Sequence, residues 1–217
     1  MNYLFPLGFY FMMGAIMPGI NPLFRDTMIP AMITFGILAA TLLGLPDPLV
    51  NARESGIFRS YKINGVPAAS ILLIPGLTTG LHLAVVALVI TFTAPLVFAA
   101  AMPGNGLNFF IVLIALSLAC SGLGLLIGVV SPSTRLTVLY SQIIFIPSMI
   151  LGGLMLPYSM LPAAAQNFAQ LMPATHAMNA FNGLAMGAVA DFNPWASVLM
   201  LASSGILAFG LALYLFS

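Results

Sequence analysis

No Asp, Glu, Lys or Arg occurs between Lys62 and Arg135, between Arg135 and Asp191, or after Asp191. A water-soluble fold cannot cover itself with so little charge. Only 4% of the residues are charged and 61% are hydrophobic, against about 25% charged in an ordinary soluble domain. A soluble globular protein is excluded, and the remaining solution is a chain whose solvent is the bilayer. There every backbone amide must be bonded within its own segment, so a crossing takes a helix of about 20 mainly apolar residues. The expected fold class is all-α: a polytopic membrane protein of about six transmembrane helices, in one domain over residues 1–217.

The few charges and the turn residues mark the crossings. The first is expected over 3–17, closed by Pro18, Asn21 and Pro22, and the second over 27–45, bounded by Arg25-Asp26 and by Pro46-Asp47-Pro48. The stretch 68–102 is too long for one straight crossing and is expected to tilt, to kink at Pro75 and Pro95, or to end at the interface. Further spans follow over 107–130, 136–156 and 195–216, the last opened by the interfacial Trp195. Residues 157–194 mix Pro, Asn and Gln with small and apolar residues and read as short helices or an outer re-entrant hairpin. Lys and Arg set the orientation, because short cytoplasmic loops carry their excess. Arg53, Arg59 and Lys62 lie in the 47–67 loop and Arg135 in the 131–135 turn, with Arg25 alone on the other side. Both termini are therefore expected in the cytoplasm. The opening segment has neither a basic leader nor an Ala-x-Ala site and does not read as a signal peptide.

Several chemistries lack their residues. A net charge of +1 leaves no basic surface for nucleic-acid phosphates. The one lysine, Lys62, is followed by Ile63, so there is no phosphate-binding Walker loop. His82 and His176 are far apart and neither precedes a glutamate, which leaves no zinc-protease motif. No G-x-S-x-G elbow occurs, and Cys120 stands alone in an apolar run. Asp26, Asp47, Glu54 and Asp191 all fall in loops or at span ends, so no intramembrane carboxylate offers proton coupling. No catalytic, cofactor-binding or metal residue is assigned. His82 is near mid-span and is either a packing histidine or a relay or substrate contact. Ser141 and Gln142 are path-lining residues or interhelical hydrogen-bonders, and Ser117, Ser121, Gly124 and Gly128 share a face suited to close helix packing.

The loop from Asn51 to Pro67 carries most of the charge. Asn51 with Glu54 three residues on reads as an N-cap, and Asn64-Gly65 before Pro67 as a stop, which predicts one helix over 52–64. Glu54 would lie near its positive end, with Arg59 and Lys62 near its negative end. Ile57, Phe58 and Tyr61 form an apolar stripe, fit either for the lipid surface or for a partner's groove.

The run Arg53-Glu54-Ser55-Gly56-Ile57-Phe58-Arg59, ending at Val66-Pro67, resembles the R-E-x-G-[TI]-[LF]-[RE] segment of type-2 ABC exporter permeases. Phe145-Ile146-Pro147, Leu151-Gly152-Gly153, Leu156-Pro157, Leu161-Pro162 and Leu171-Met172-Pro173-Ala174-Thr175 are similar to that family's late signature, which breaks the fifth span and shapes the outer hairpin. The resemblance covers nearly the whole chain. It implies a permease subunit of an ATP-driven exporter in a bacterial inner membrane, with two copies, or this chain and a paralogue, lining the path. Its implied partners are ABC ATPase subunits, the second permease, membrane lipids and an exported substrate. ATP and Mg would be held by the ATPase, leaving no cofactor in this chain. The resemblance makes 52–64 a coupling helix, with Arg53, Glu54, Gly56, Phe58, Arg59, Tyr61 and Lys62 as its site residues. Glu54 would pair with the ATPase, Phe58 and Tyr61 would fill its groove, and Arg59 would border it. The family usually has an amphipathic helix before the first span, whereas this chain begins within the hydrophobic run, so a truncated start or a subunit without that helix is expected. The rival readings are an ion-coupled secondary transporter, favoured by the break at Gly152-Gly153, and a polytopic intramembrane enzyme.

Overall fold

One buried helical rod organises the molecule. The computed structural model describes residues 4–155 and 157–216. In it, α2 (Phe24–Leu38) runs through a widened π-helical turn, Ala39–Gly44, into α3 (Pro46–Glu54). The rod is 31 residues long, or about 46 Å at the α-helical rise. Its most apolar stretch is 83% buried, against 22–56% for the other long helices, so it is the centre around which they pack. The second span was expected to close at Pro46-Asp47-Pro48, and the structure corrects this: the helix continues to Glu54. Pro46 sits in the first turn of α3, where an amide is not needed. In the widened turn before it, the Thr41 hydroxyl donates to the Ile37 carbonyl at 2.6 Å.

Around the rod lie α1 (Leu4–Ile20), α5 (Ala68–Phe98), α6 (Gly106–Val130), α7 (Thr134–Leu151) and α10 (Pro194–Phe216). Among the described residues, five helices are long and apolar enough to cross a membrane, and α1 is a shorter apolar helix. The structure is an all-α polytopic membrane fold. The short helix α4 (Ile57–Ile63) links α3 to α5. Two more short helices, α8 (Ala163–Ala169) and α9 (Pro173–Ala180), lie in the hairpin between α7 and α10.

Several boundaries differ from the sequence expectation for local reasons. Helix α1 passes Pro18 because the Asn21 amide still closes on the Met17 carbonyl at 2.8 Å. Helix α5 stops at Phe98 rather than at 102, because Ala99 turns left-handed with φ 54°. Helix α7 ends at Leu151, where Gly152 and the left-handed Gly153 (φ 80°) halt it short of 156. Leu156 itself, and Tyr3 at the expected start of the first span, lie outside the described residues.

The polarity of α7 is that of a bilayer protein. Its buried face carries Thr137, Ser141, Phe145 and Ser148, while Val138, Leu139, Ile143, Ile146 and Ile150 are exposed. After α7 the hairpin dips back into the bundle. Helix α9 is buried along its length, Met178 meets the Thr34 hydroxyl at 3.9 Å, and Phe181 lies 5.0 Å from Phe109. Its loops are tied by asparagines. Asn179 Nδ2 donates to the Phe192 carbonyl and to Ser197 Oγ, both at 3.0 Å, and its Oδ1 accepts from the amides of Asp191 (2.8 Å) and Phe192 (3.2 Å). Asn108 Nδ2 donates to the Leu184 carbonyl at 3.0 Å, pinning the hairpin to α6.

Close approach of backbones holds the bundle together, since lipid gives apolar helices no hydrophobic reason to associate. A Cβ on Gly122 would lie 2.6 Å from the Gly205 carbonyl oxygen, and one on Gly205 would lie 2.7 Å from the Ala119 nitrogen. On the other side of α6, a Cβ on Gly124 would run into the Thr41 carbonyl, and one on Gly128 would lie 2.8 Å from Leu49. Gly124 and Gly128 thus pack α6 onto the rod, while Ser117 and Ser121 line an apolar cleft between α5, α6 and α10. Gly210 has open space where a Cβ would be. Gly124→Ala should therefore destabilise the detergent-solubilised protein by about 1–3 kcal/mol through overpacking. Gly210→Ala should leave stability unchanged or raise it by about 0.5–1 kcal/mol, as for an unhindered helical glycine. Thermal unfolding of the two variants beside the parent checks the opposite signs.

Candidate functional site

The two ends of the bundle differ in charge. Arg53, Arg59 and Arg135 gather at one end, with α4 and the turn between α6 and α7. The other end carries the α1–α2 turn with Arg25 and Asp26, the 99–105 segment and the hairpin.

At the basic end the sequence predicts one helix over 52–64, and the structure divides it. Asn51 is not a cap: it lies inside α3, its carbonyl accepting the Ser55 amide at 2.9 Å and its Oδ1 accepting from the Thr134 hydroxyl at 3.4 Å. The helix entering from the buried rod has already claimed these residues, so a local capping pattern has no free end to cap. The break falls at Gly56, whose φ of 78° suits glycine. Helix α4 then runs from Ile57 to Ile63 and closes as a Schellman motif. There Gly65 is left-handed with φ 72°, the Val66 amide reaches the Tyr61 carbonyl at 3.0 Å, and Asn64 Nδ2 reaches the Ser60 carbonyl at 2.8 Å. Arg53 and Glu54 consequently sit in the last turn of α3 rather than at the positive end of a helix.

Arg53 is a brace. Its Nη1 donates to the Val129 carbonyl at 2.9 Å and its Nη2 to the Ser131 carbonyl, so the guanidinium ties the end of α3 to the α6–α7 turn. The end of α6 has carbonyls with no intrahelical donor, and a forked guanidinium supplies two donors at once. Glu54 and Arg59 are exposed. Phe58 is half-buried and meets Phe216 of α10 edge to face at 5.0 Å, so it anchors α4 to its own chain. Ile57, Phe58 and Tyr61 line a cavity of about 640 Å³ whose other walls come from α3 and α5. Of the apolar stripe, Phe58 is turned to its own bundle through Phe216, while Ile57 and Tyr61 line the cavity and stay exposed. The side chain of Lys62 lies outside the described residues.

The remaining sequence candidates are not gathered into one centre. His82 lines the wall of that cavity, with Nδ1 at 2.7 Å from the Thr78 carbonyl, far from the hairpin that holds His176. Ser141 is fully buried in the face of α7 turned to the rod, and its hydroxyl has no partner among the described residues; Gln142 beside it is half-buried. Among the described residues no three His, Cys, Asp or Glu side chains come together. Sequence reasoning missed the Arg53 brace and the Asn179 knot. The Asn179 signal was a polar residue in an apolar setting, but its backbone partners at 191–192 are not local.

A helical bundle with long apolar helices, a basic end and a buried hairpin at the other end defines a polytopic membrane protein. The ABC-2 type transporter family matches residues 1–186, and the chain belongs to that family. It is an integral membrane permease of the ABC transporter class. No curated protein matches the chain.

Removal of the brace should be measurable. Arg53→Ala leaves the Val129 and Ser131 carbonyls without their donors and should cost about 1–3 kcal/mol. Arg53→Lys, with one compact ammonium, should recover only part of this. Thermal unfolding gives the magnitude, and faster amide exchange confined to residues 129–135 gives the location.

Proposed function

We propose that this permease forms the membrane half of an ATP-driven exporter, paired with a second copy or a paralogue and driven by separate ATPase subunits that hold ATP and Mg. The carrying observation is the suspension of α4. It hangs between Gly56 and Gly65, both left-handed, directly beneath the buried rod. A push on α4 can pass along α3 into the rod, and through Arg53 into the turn between α6 and α7. One contact would then move three helices.

The outward face of this device offers Glu54 and Arg59, which are exposed and of opposite charge, for pairing with an ATPase. Gly56 is the hinge and Phe58 the anchor, and the exposed Ile57 and Tyr61 are apolar surface beside them, open to a partner's groove. The concentration of Arg and Lys supports a cytoplasmic location for this end, with the hairpin outside and the termini inside, in a bacterial inner membrane.

Co-purification with the ATPase expressed alongside tests the assignment. Glu54→Lys and Arg59→Glu should each lower the ATPase recovered at least tenfold, with the amount of permease in the membrane unchanged. Phe58→Ala should instead lower permease stability by about 1–3 kcal/mol, part of the cost of a fully buried phenylalanine. Full ATPase recovery with both charge variants would overturn the docking role of α4.

A further inference from the structure

At the end opposite Arg53, a cavity of about 530 Å³ opens between the α1–α2 turn, the end of α7 and the hairpin. That is the size of a small-molecule site. Asp191 is the only formally charged side chain among the described residues that line it. Asp191 is exposed as a residue, its carboxylate makes no ion pair among the described residues, and desolvation of the carboxyl pushes it above the usual carboxylate range. Two further polar atoms in the lining have no partner there. They are Oγ1 of Thr175, a residue only 2% exposed, and Oδ1 of Asn182. Both atoms can accept a hydrogen bond. Asn179 also lines the cavity, but its amide is spent on the backbone of 191–192 and on Ser197, so it builds the wall.

The apolar side is aromatic and held in place. Tyr158 and Phe192 meet edge to face at 5.8 Å. The Tyr158 hydroxyl donates to the Gln166 carbonyl at 3.3 Å and accepts from Gln170 Nε2 at 2.9 Å. Phe192 is fixed through its own amide and carbonyl on Asn179, with the His176 ring behind it at 5.5 Å. Burial holds His176 below the usual histidine range. Arg25 and Asp26 are exposed at the same end and do not line the cavity.

A negative charge without a counter-charge, free acceptors and prepositioned aromatic faces share one complement. We propose that this cavity binds an organic cation with an apolar or aromatic body, with the charge at Asp191 and Asn182 and the body against Tyr158 and Phe192. Cation attraction to aromatic faces strengthens where water is excluded. The site does not depend on coupling to an ATPase, and its occupancy is measured without nucleotide or partner.

Full-length permease in phosphatidylcholine nanodiscs is titrated against two dyes of related size, cationic rhodamine 6G and anionic fluorescein, with empty nanodiscs subtracted. Fluorescence anisotropy should show saturable rhodamine 6G binding at one site per chain and no fluorescein site. Asp191→Asn should weaken rhodamine 6G binding at least tenfold, Asp191→Glu should stay within threefold of the parent, and Asp26→Asn should leave it unchanged. Phe192→Leu keeps the backbone bonds to Asn179 and should weaken binding several-fold, testing the aromatic wall without altering charge. Equal affinity for the two dyes in the parent protein, which needs no variant to fold, overturns the proposal. So does parent-like rhodamine 6G binding by folded Asp191→Asn.

Discussion

A backbone amide or carbonyl left without a partner in hydrocarbon costs several kcal/mol, and this constraint determines where the chain can depart from a plain helix. Both π-helical turns lie where protein covers them, Ala39–Gly44 within the central rod and Phe181–Met186 at the inner end of the hairpin. Where the hairpin backbone turns, asparagine amides replace water: Asn179 serves residues 191 and 192, and Asn108 serves Leu184. Non-helical backbone is tolerated at depth because side chains of the same protein satisfy it. The polar residues of 157–194, unusual in so apolar a chain, are therefore part of the structural framework.

The same constraint explains which features could be read from the residues alone. A charge content of 4% and long uncharged runs demand spanning helices whatever the packing, so the class of fold follows from composition. Helix ends are harder, because local rules compete with a helix arriving from elsewhere. Asn51 and Glu54 make a fair capping pattern, yet the rod had not ended at Pro46, and the pattern falls inside α3. Gly56 carried the true break, since a left-handed residue interrupts a helix however good the flanking caps. The facing of α4 was hidden for another reason. In a membrane protein both the lipid side and the protein side are apolar, so the stripe of Ile57, Phe58 and Tyr61 does not reveal what it touches; only the fold shows that Phe58 meets Phe216 while Ile57 and Tyr61 border a cavity.

Tight glycine contacts make the proposed coupling physically workable. Gly124 and Gly128 bring α6 against the rod, and Gly122 and Gly205 bring α10 against α6, each at distances that leave no room for a methyl group. Such contacts cannot be compressed, so a displacement of the rod must carry α6 and α10 with it rather than be absorbed between them. The glycines of α5 make no such contact: a Cβ on Gly76 would lie 3.6 Å from Leu125 and one on Gly80 would meet nothing within 4 Å, and α7 contains no glycine. The bundle thus divides into a stiff unit of rod, α6 and α10 and a looser periphery.

That division also describes how the two ends are joined. The stiff unit begins at the Arg53 brace and ends at the hairpin, because the rod meets α9 through Thr34 and Met178, and α10 meets it through Ser197 and Asn179. In the proposed coupling, a movement started at α4 would cross the Gly56 hinge into α3 and reach the walls of the opposite cavity through the rod and its close-packed glycine contacts. Asn179 is the last link, since it holds Asp191 and Phe192 by their backbones while its neighbour Met178 touches the rod. A shift of α9 by a fraction of an ångström would change the separation between the Asp191 carboxylate and the Tyr158 ring, which is anchored independently by Gln166 and Gln170. The cavity therefore has one wall tied to the rod through α9 and another tied to α8.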